Sequence, residues 1–177
     1  DVCSSDLGYA PLGGVIVSDR IASPFVEEEG RMYMHGLTFG GHPVSCAVAL
    51  ANLDILEGED LCGNVLRHEE LFDDVMAELA SLPLVGDVRG CGYFRVAELV
   101  RDKDTRETFT AEESEWLLRG YLSPFLYRSG LICRSDDRAD PVVVLSPTLV
   151  AGEQELEFIR TTLRNAFTGA WKALQER

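Results

Sequence analysis

Three features of the 177-residue sequence predict an α/β chain. Gly14-Val15-Ile16-Val17 is a short, continuously apolar run, the pattern of a strand buried on both faces of a parallel sheet. Leu84 to Val100, Leu131 to Arg134 and Val142 to Leu145 also read as β structure. Two long segments, around Leu61–Leu79 and Leu156–Leu174, repeat apolar residues at helical spacing. A compact chain of this size buries about 70% of its unfolded surface, enough for a core without staples.

The elements follow in chain order. DVCSSDL has neither helical nor strand periodicity, and GYAPLGG is a loop punctuated by glycine and proline. The buried strand of residues 14–17 needs neighbours, and no similar run lies near it, so its sheet is expected outside this chain. A short helix after Asp19, the acidic turn Glu27-Glu28-Glu29-Gly30 and the loop MHGLTFGGHP come next. Pro43 suits the first position of a helix, where its missing N–H has no intrahelical partner to lose. Val44 to Leu53 carries no charge on any face and is expected to be buried all round or wedged between layers. Beyond Gly58 the pattern becomes one-sided, with Leu61, Val65, Phe72, Val75, Met76 and Leu79 on one face, and a domain boundary is placed there.

The β-like stretch to Val100 contains a glycine pair, Gly90 and Gly92, and the charged connection RDKDTRETF follows. Thr110 and Glu113 form a capping-box pattern for a helix running to about Ser129 and stopped by Gly130. Pro124 inside it should bend or split it. Two strands joined by the polar turn Ser135–Asp140 precede a last helix from about Glu153 to Gln175, with acids at its start and Lys172 at its end, as the helix dipole prefers.

Charge and cysteine usage exclude several roles. Thirty acidic residues against 16 basic ones give a net charge of −14, which repels phosphate backbones and anionic lipids, so no nucleic-acid or membrane partner is expected. The longest stretch without a charged side chain, Met32 to Leu53, is broken by Gly40-Gly41-His42-Pro43 and leaves an apolar run of about ten residues, half a membrane span. Five scattered cysteines without a CxxC pair read as free thiols of a cytoplasmic protein, and no histidine stands at zinc-ligand spacing from a cysteine pair.

Three loops carry chemistry: GYAPLGG, MHGLTFGGHP, and GLICR with the later SPTL. With HGLTFGGHPVSCAVALANLDI and VGDVRGCGYF they make the chain resemble the C-terminal part of the class III, pyridoxal-phosphate-dependent aminotransferases, from Gly8 to the last helix. The resemblance implies the aspartate-aminotransferase-like architecture, fold type I. Residues 1–58 are then the remnant of the large cofactor-binding domain and residues 59–177 the small α+β domain. It also implies pyridoxal 5'-phosphate as cofactor, a homodimer with shared active sites, and transfer of an amino group from an amine or amino acid to a keto acid such as pyruvate. A mutase or racemase use of the same cofactor remains open.

In that family a lysine five residues before the GY glycine, in KG(L/I)(T/S)xGY, is joined to the cofactor aldehyde; here that position is Cys3. A thiol cannot take that role or act as the shuttling amine. Lys103 and Lys172, the only two lysines, lie in a solvated charge run and a helix end. This chain alone is therefore expected to be inactive. DVCSSDL is also the translation of a common sequencing-adapter string, GACGTGTGCTCTTCCGATCT, so residues 1–7 are expected not to be native and the chain to be a fragment. The alternative is a natural lysine-less module that dimerises or regulates.

By the same resemblance, Thr38 and the Leu37 N–H reach the cofactor phosphate of the neighbouring subunit, and Arg134 holds the substrate carboxylate, swinging away when an uncharged group enters. A short hydroxyl on a glycine-flanked loop suits the first role, and a guanidinium fork suits the second. On residue chemistry alone, Thr38 reads equally as a turn cap and Arg134 as a strand-end partner of Asp136, Asp137 or Asp140. His35 and His42 read as loop and helix-start residues, Cys91 and Cys133 as packed thiols, and Thr148 in SPTL departs from the family's SPPL.

Overall fold

A computed structural model of the protein describes residues 10–136 and 140–177. The chain divides into two compact units, residues 1–60 and 61–177.

In the first unit, α1 spans Asp19–Val26 and α2 spans Pro43–Gly58. Pro43 opens α2 as expected, with His42 as its N-cap residue and the His42 carbonyl accepting the Cys46 N–H at 3.0 Å. Two apolar segments lack neighbours among the described residues. Residues 14–17 form no strand, and Val15, Ile16 and Val17 are exposed, because a strand needs an edge to pair with and no strand lies within the described residues of this unit. The charge-free α2 is likewise not enclosed: only Ala49 is buried, while Val44, Leu50, Leu53 and Ile55 are exposed. An apolar helix is covered only where another layer is present, and α1 is too short to supply one.

The second unit is a helix-on-sheet layer pair. Helix α3, Leu61–Ala80, buries Phe72, Val75, Met76 and Leu79, the face read from its periodicity. Strands β1, Val85–Cys91, and β2, Phe94–Leu99, form an antiparallel hairpin. Strands β3, Arg134–Asp136, and β4, Val142–Leu145, complete a four-stranded sheet of order β1-β2-β4-β3 with every neighbour antiparallel. Strand β3 starts three residues later than its apolar run suggests, so Leu131, Ile132 and Cys133 form the approach to it. The closing helix α6, Glu153–Gln175, coincides with its expected span and buries Leu156, Ile159, Leu163 and Phe167, with Thr162, Ala166 and Ala170 widening the stripe. These side chains share one core with Val85, Ala97, Leu99, Val143 and Leu145 of the sheet.

Between β2 and β3 the capping box at Thr110 is formed: the Glu113 N–H donates to Thr110 Oγ1 at 3.3 Å and the Thr110 N–H to Glu113 Oε2 at 3.0 Å. The expected single helix is split into α4, Ala111–Glu115, a π-helical turn, Trp116–Leu122, and α5, Ser123–Arg128. Pro124 is the cause, since it has no N–H to give the preceding turn; restarting the helix at Ser123 places it where no N–H is needed. Gly130 ends α5 with φ +84°.

Candidate functional site

The first site-bearing segment is the loop before α2. The Gly40 N–H donates to the Leu37 carbonyl at 2.9 Å and the His42 N–H to the Phe39 carbonyl at 3.2 Å, making two overlapping turns. Gly41 sits third in the second turn with φ +71°, the left-handed position that a side chain resists. The turns use the carbonyls and leave donors over. Among the described residues, the Leu37 N–H, the Thr38 N–H and the Thr38 hydroxyl have no hydrogen-bond partner. Both residues are exposed, and a Cβ placed on Gly36 would meet nothing within 4 Å, so the approach to these donors is open. Three donors on a glycine-flanked turn with no carboxylate among residues 32–43 form an anion-type donor set, and they fit a phosphate group. His35 and His42 are exposed; the His35 ring lies tilted beside Tyr33, centroids 5.5 Å apart, and His42 lies edge-on to Phe39 at 6.3 Å. Cys3 lies outside the described residues.

The second segment belongs to the sheet unit. Arg134, first residue of β3, sits opposite Val144, and its Nη2 donates to Asp136 Oδ2 at 2.6 Å. Of its three candidate acids, Asp136 is the one the structure pairs with it. Asp140 accepts from Thr108 Oγ1 at 3.0 Å, and Asp137 is outside the described residues. Arg134 and Asp136 line a cleft of about 650 Å³ with Phe94, Ile132, Val144 and Pro147. Cys133 also lines it and is half-buried; burial pushes its thiol up to about 11. At pH 8 Cys133 is therefore almost wholly thiol, and its alkylation by iodoacetamide is expected to be at least about tenfold slower than that of the exposed Cys62 and Cys91, which the reagent reaches directly. Peptide mapping after timed quenching reads this directly, and equal rates would show that the thiol is not sheltered.

The SPTL segment following β4 is fastened from α3 and the hairpin. Asn64 Nδ2 donates to the carbonyls of Leu149 at 2.8 Å and Ala151 at 2.9 Å, and the Tyr93 hydroxyl donates to Ala151 at 2.8 Å. The Gly152 N–H donates to Glu155 Oε2 at 2.9 Å, which holds the Glu155 carboxyl below its ordinary range. Thr148 in place of proline leaves this turn intact: its carbonyl accepts the Ala151 N–H at 2.9 Å.

Arg89, Gly90 and Cys91 are the end of β1, paired with β2, and Gly92-Tyr93 makes the turn that closes the hairpin, so this stretch is no nucleotide loop. Sequence reading missed the residue that organises it. Arg95 is buried, its Nε donating to the Gly92 carbonyl at 2.9 Å and Nη1 to the Gly90 carbonyl at 2.8 Å. Its Nη2 faces Asp73 at 2.7 Å and Glu69 at 3.3 Å, and Glu69 also accepts the Gly92 N–H at 2.7 Å. No local pattern distinguishes Arg95 from the exposed arginines of the chain. Lys103 donates to the Ala80 carbonyl and Lys172 is exposed on α6, so both lysines serve surface roles.

The small antiparallel sheet backed by α3 and α6 recurs in known enzymes. A solved (S)-enantioselective omega-transaminase from Thermomicrobium roseum matches over 92% of this chain and 35% of its own, with 38% identity and a TM-score of 0.79. The adenosylmethionine-8-amino-7-oxononanoate aminotransferase of Methanocaldococcus jannaschii matches over 92% and 36%, with 31% identity and a TM-score of 0.78. Fold and loops thus define a part of a fold type I transaminase. The class III aminotransferase model matches residues 7–167, and the chain belongs to that family, whose members depend on pyridoxal phosphate. Among curated relatives, "Probable aminotransferase Rv3329" of Mycobacterium tuberculosis is 50% identical over 91% of this chain and 34% of its own length. The putrescine–pyruvate aminotransferase of Pseudomonas aeruginosa is 37% identical over 89% and 33%. The chain spans about a third of the length of the curated relatives it matches.

Proposed function

We propose that this chain is the C-terminal portion of a cytoplasmic, homodimeric transaminase that transfers an amino group from an amine or amino acid to a keto acid such as pyruvate. Residues 1–58 are the end of its large domain and residues 59–177 its small domain. The observation that carries the reading is the unpartnered donor set of Leu37 and Thr38, within a chain of the class III family. Pyruvate as acceptor is supported by the name of the Pseudomonas aeruginosa relative. When bound, pyridoxal phosphate supplies the electron sink for amino transfer. The chain's own residues bind and orient: the Leu37 N–H and Thr38 hydroxyl hold a phosphate oxygen of the neighbouring subunit's cofactor, and Arg134 holds the substrate carboxylate. No helix among the described residues is long and apolar enough to cross a membrane.

The test begins with a sequencing read through the junction at Leu7. The adjoining DNA is expected to encode a lysine at position 3 and an upstream domain, and the resulting enzyme to form alanine from pyruvate and an amine. Thr38→Val in that enzyme should raise the pyridoxal phosphate concentration for half-saturation by about tenfold, the worth of a hydrogen bond to a charged group. The 177-residue chain itself should give no borohydride-trappable absorbance at roughly 410–430 nm with the cofactor. A start codon just upstream and a soluble, folded short product would overturn this reading in favour of the lysine-less dimerising or regulatory module.

A further inference from the structure

Side chains two residues apart in a strand project on the same side. In β3 this places Arg134 and Asp136 side by side, with Nη2 and Oδ2 2.6 Å apart. Their environments are unequal: the Asp136 side chain is 15% exposed and the Arg134 side chain 60%. The carboxylate is therefore the anchored member, and the guanidinium the member that solvent and ligand can reach. Both border the same cleft, whose other walls include Phe94, Ile132, Val144 and Pro147, an apolar bed beside the Arg134 cation. A guanidinium in this position can engage an incoming carboxylate through two parallel hydrogen bonds, but Asp136 already occupies one arm. Entry of a carboxylate is thus an exchange between two anions for one fork. A pair this exposed on the arginine side is weak enough to exchange.

We propose that Asp136 is the specificity-setting counter-ion of Arg134. It keeps the guanidinium at the cleft wall when the bound molecule is uncharged there, and competes for it when a carboxylate enters. Asp136 thereby sets the balance between carboxylate-bearing and carboxylate-free substrates without touching either. The inference rests on the reading of Arg134 as the carboxylate holder.

The test uses the full-length enzyme and two probes, pyruvate as acceptor and benzylamine as a donor without a carboxylate. Asp136→Asn keeps the shape and removes the charge, so KM for pyruvate should fall about three- to tenfold while KM for benzylamine does not fall. That difference should shrink in roughly 0.5 M salt, where exposed charges are screened. Asp136→Glu restores the charge and should move the KM ratio back toward the original. In an Arg134→Ala background, which itself should raise KM for pyruvate at least about tenfold, Asp136→Asn should have no further effect. If Asp136→Asn shifts both probes alike, or leaves their ratio unchanged while Arg134→Ala still weakens pyruvate, the inference is overturned and the reading of Arg134 stands. If Arg134→Ala leaves KM for pyruvate unchanged, the reading of Arg134 itself fails and the inference falls with it. Should Asp136→Asn not fold, Asp136→Ser makes the same comparison; failure of both to fold would show Asp136 to be a structural residue, against the inference.

Discussion

Gly90→Ala is expected to destabilise the sheet unit by about 3 kcal/mol or more, the range reached when a forced backbone conformation meets a steric clash. Gly90 has φ +128°, a region that side chains rarely adopt. A Cβ built there would lie 2.1 Å from the Phe94 carbonyl oxygen and 2.9 Å from the Arg95 Cα, and both are backbone atoms. Neither can rotate away as a side-chain tip could, so relief requires breaking the pairing of Gly90 with Arg95 in the hairpin. Loss of that pairing also frees the Arg95 fork from the Gly90 carbonyl. Urea unfolding followed by tryptophan fluorescence isolates the effect, because the two tryptophans, Trp116 and Trp171, both belong to the sheet unit. A midpoint unchanged from the parent would mean that the hairpin has another accessible turn.

Arg95→Met should cost about 2–3 kcal/mol, less than a fully buried ion pair because its acids are partly solvated. Methionine keeps most of the packing over Phe72, whose ring lies 6.0 Å from the guanidinium carbon, and removes the donors. Which partner dominates follows from exposure. Asp73 is 59% exposed, so its 2.7 Å contact with Arg95 should contribute about 1 kcal/mol at most. The Gly90 and Gly92 carbonyls and the less exposed Glu69 account for the larger share, since they lose a donor at the crowded end of the hairpin. A double-mutant cycle separates the two contributions. Asp73→Ala should cost little alone, while Glu69→Ala should cost more and couple strongly to Arg95→Met, because Glu69 also accepts the Gly92 N–H. Comparable losses for the two acids would contradict this ranking.

The long helices were legible because their information is local. In α3 and α6 the apolar residues recur every three or four positions, and the structure buries those faces. The capping box at Thr110 was legible for the same reason, both partners being three residues apart. Strand β2 was legible as a strand but not in its phase. Its apolar residues include Phe94 and Val96, yet the structure buries Arg95, Ala97 and Leu99 and leaves Phe94 60% exposed. Hydrophobicity does not mark this face, because the charge of Arg95 is answered by Glu69, 26 residues earlier. The candidate site was legible as motifs, HGLTFGGHP and GLICR, and only the folded loop shows that the first leaves three donors without a partner among the described residues.

Family membership, the helices, their caps and the break at Pro124 were determined by the sequence alone, since each depends on residues within a turn or two of one another or on a contiguous motif. Tertiary structure decided that Arg95 is buried and that Asp136 is the acid paired with Arg134. Each of these depends on what another segment brings alongside. Coverage of an apolar run and neutralisation of a charge are properties of the packed neighbourhood, and a local pattern names the group that needs a partner without saying which partner it meets.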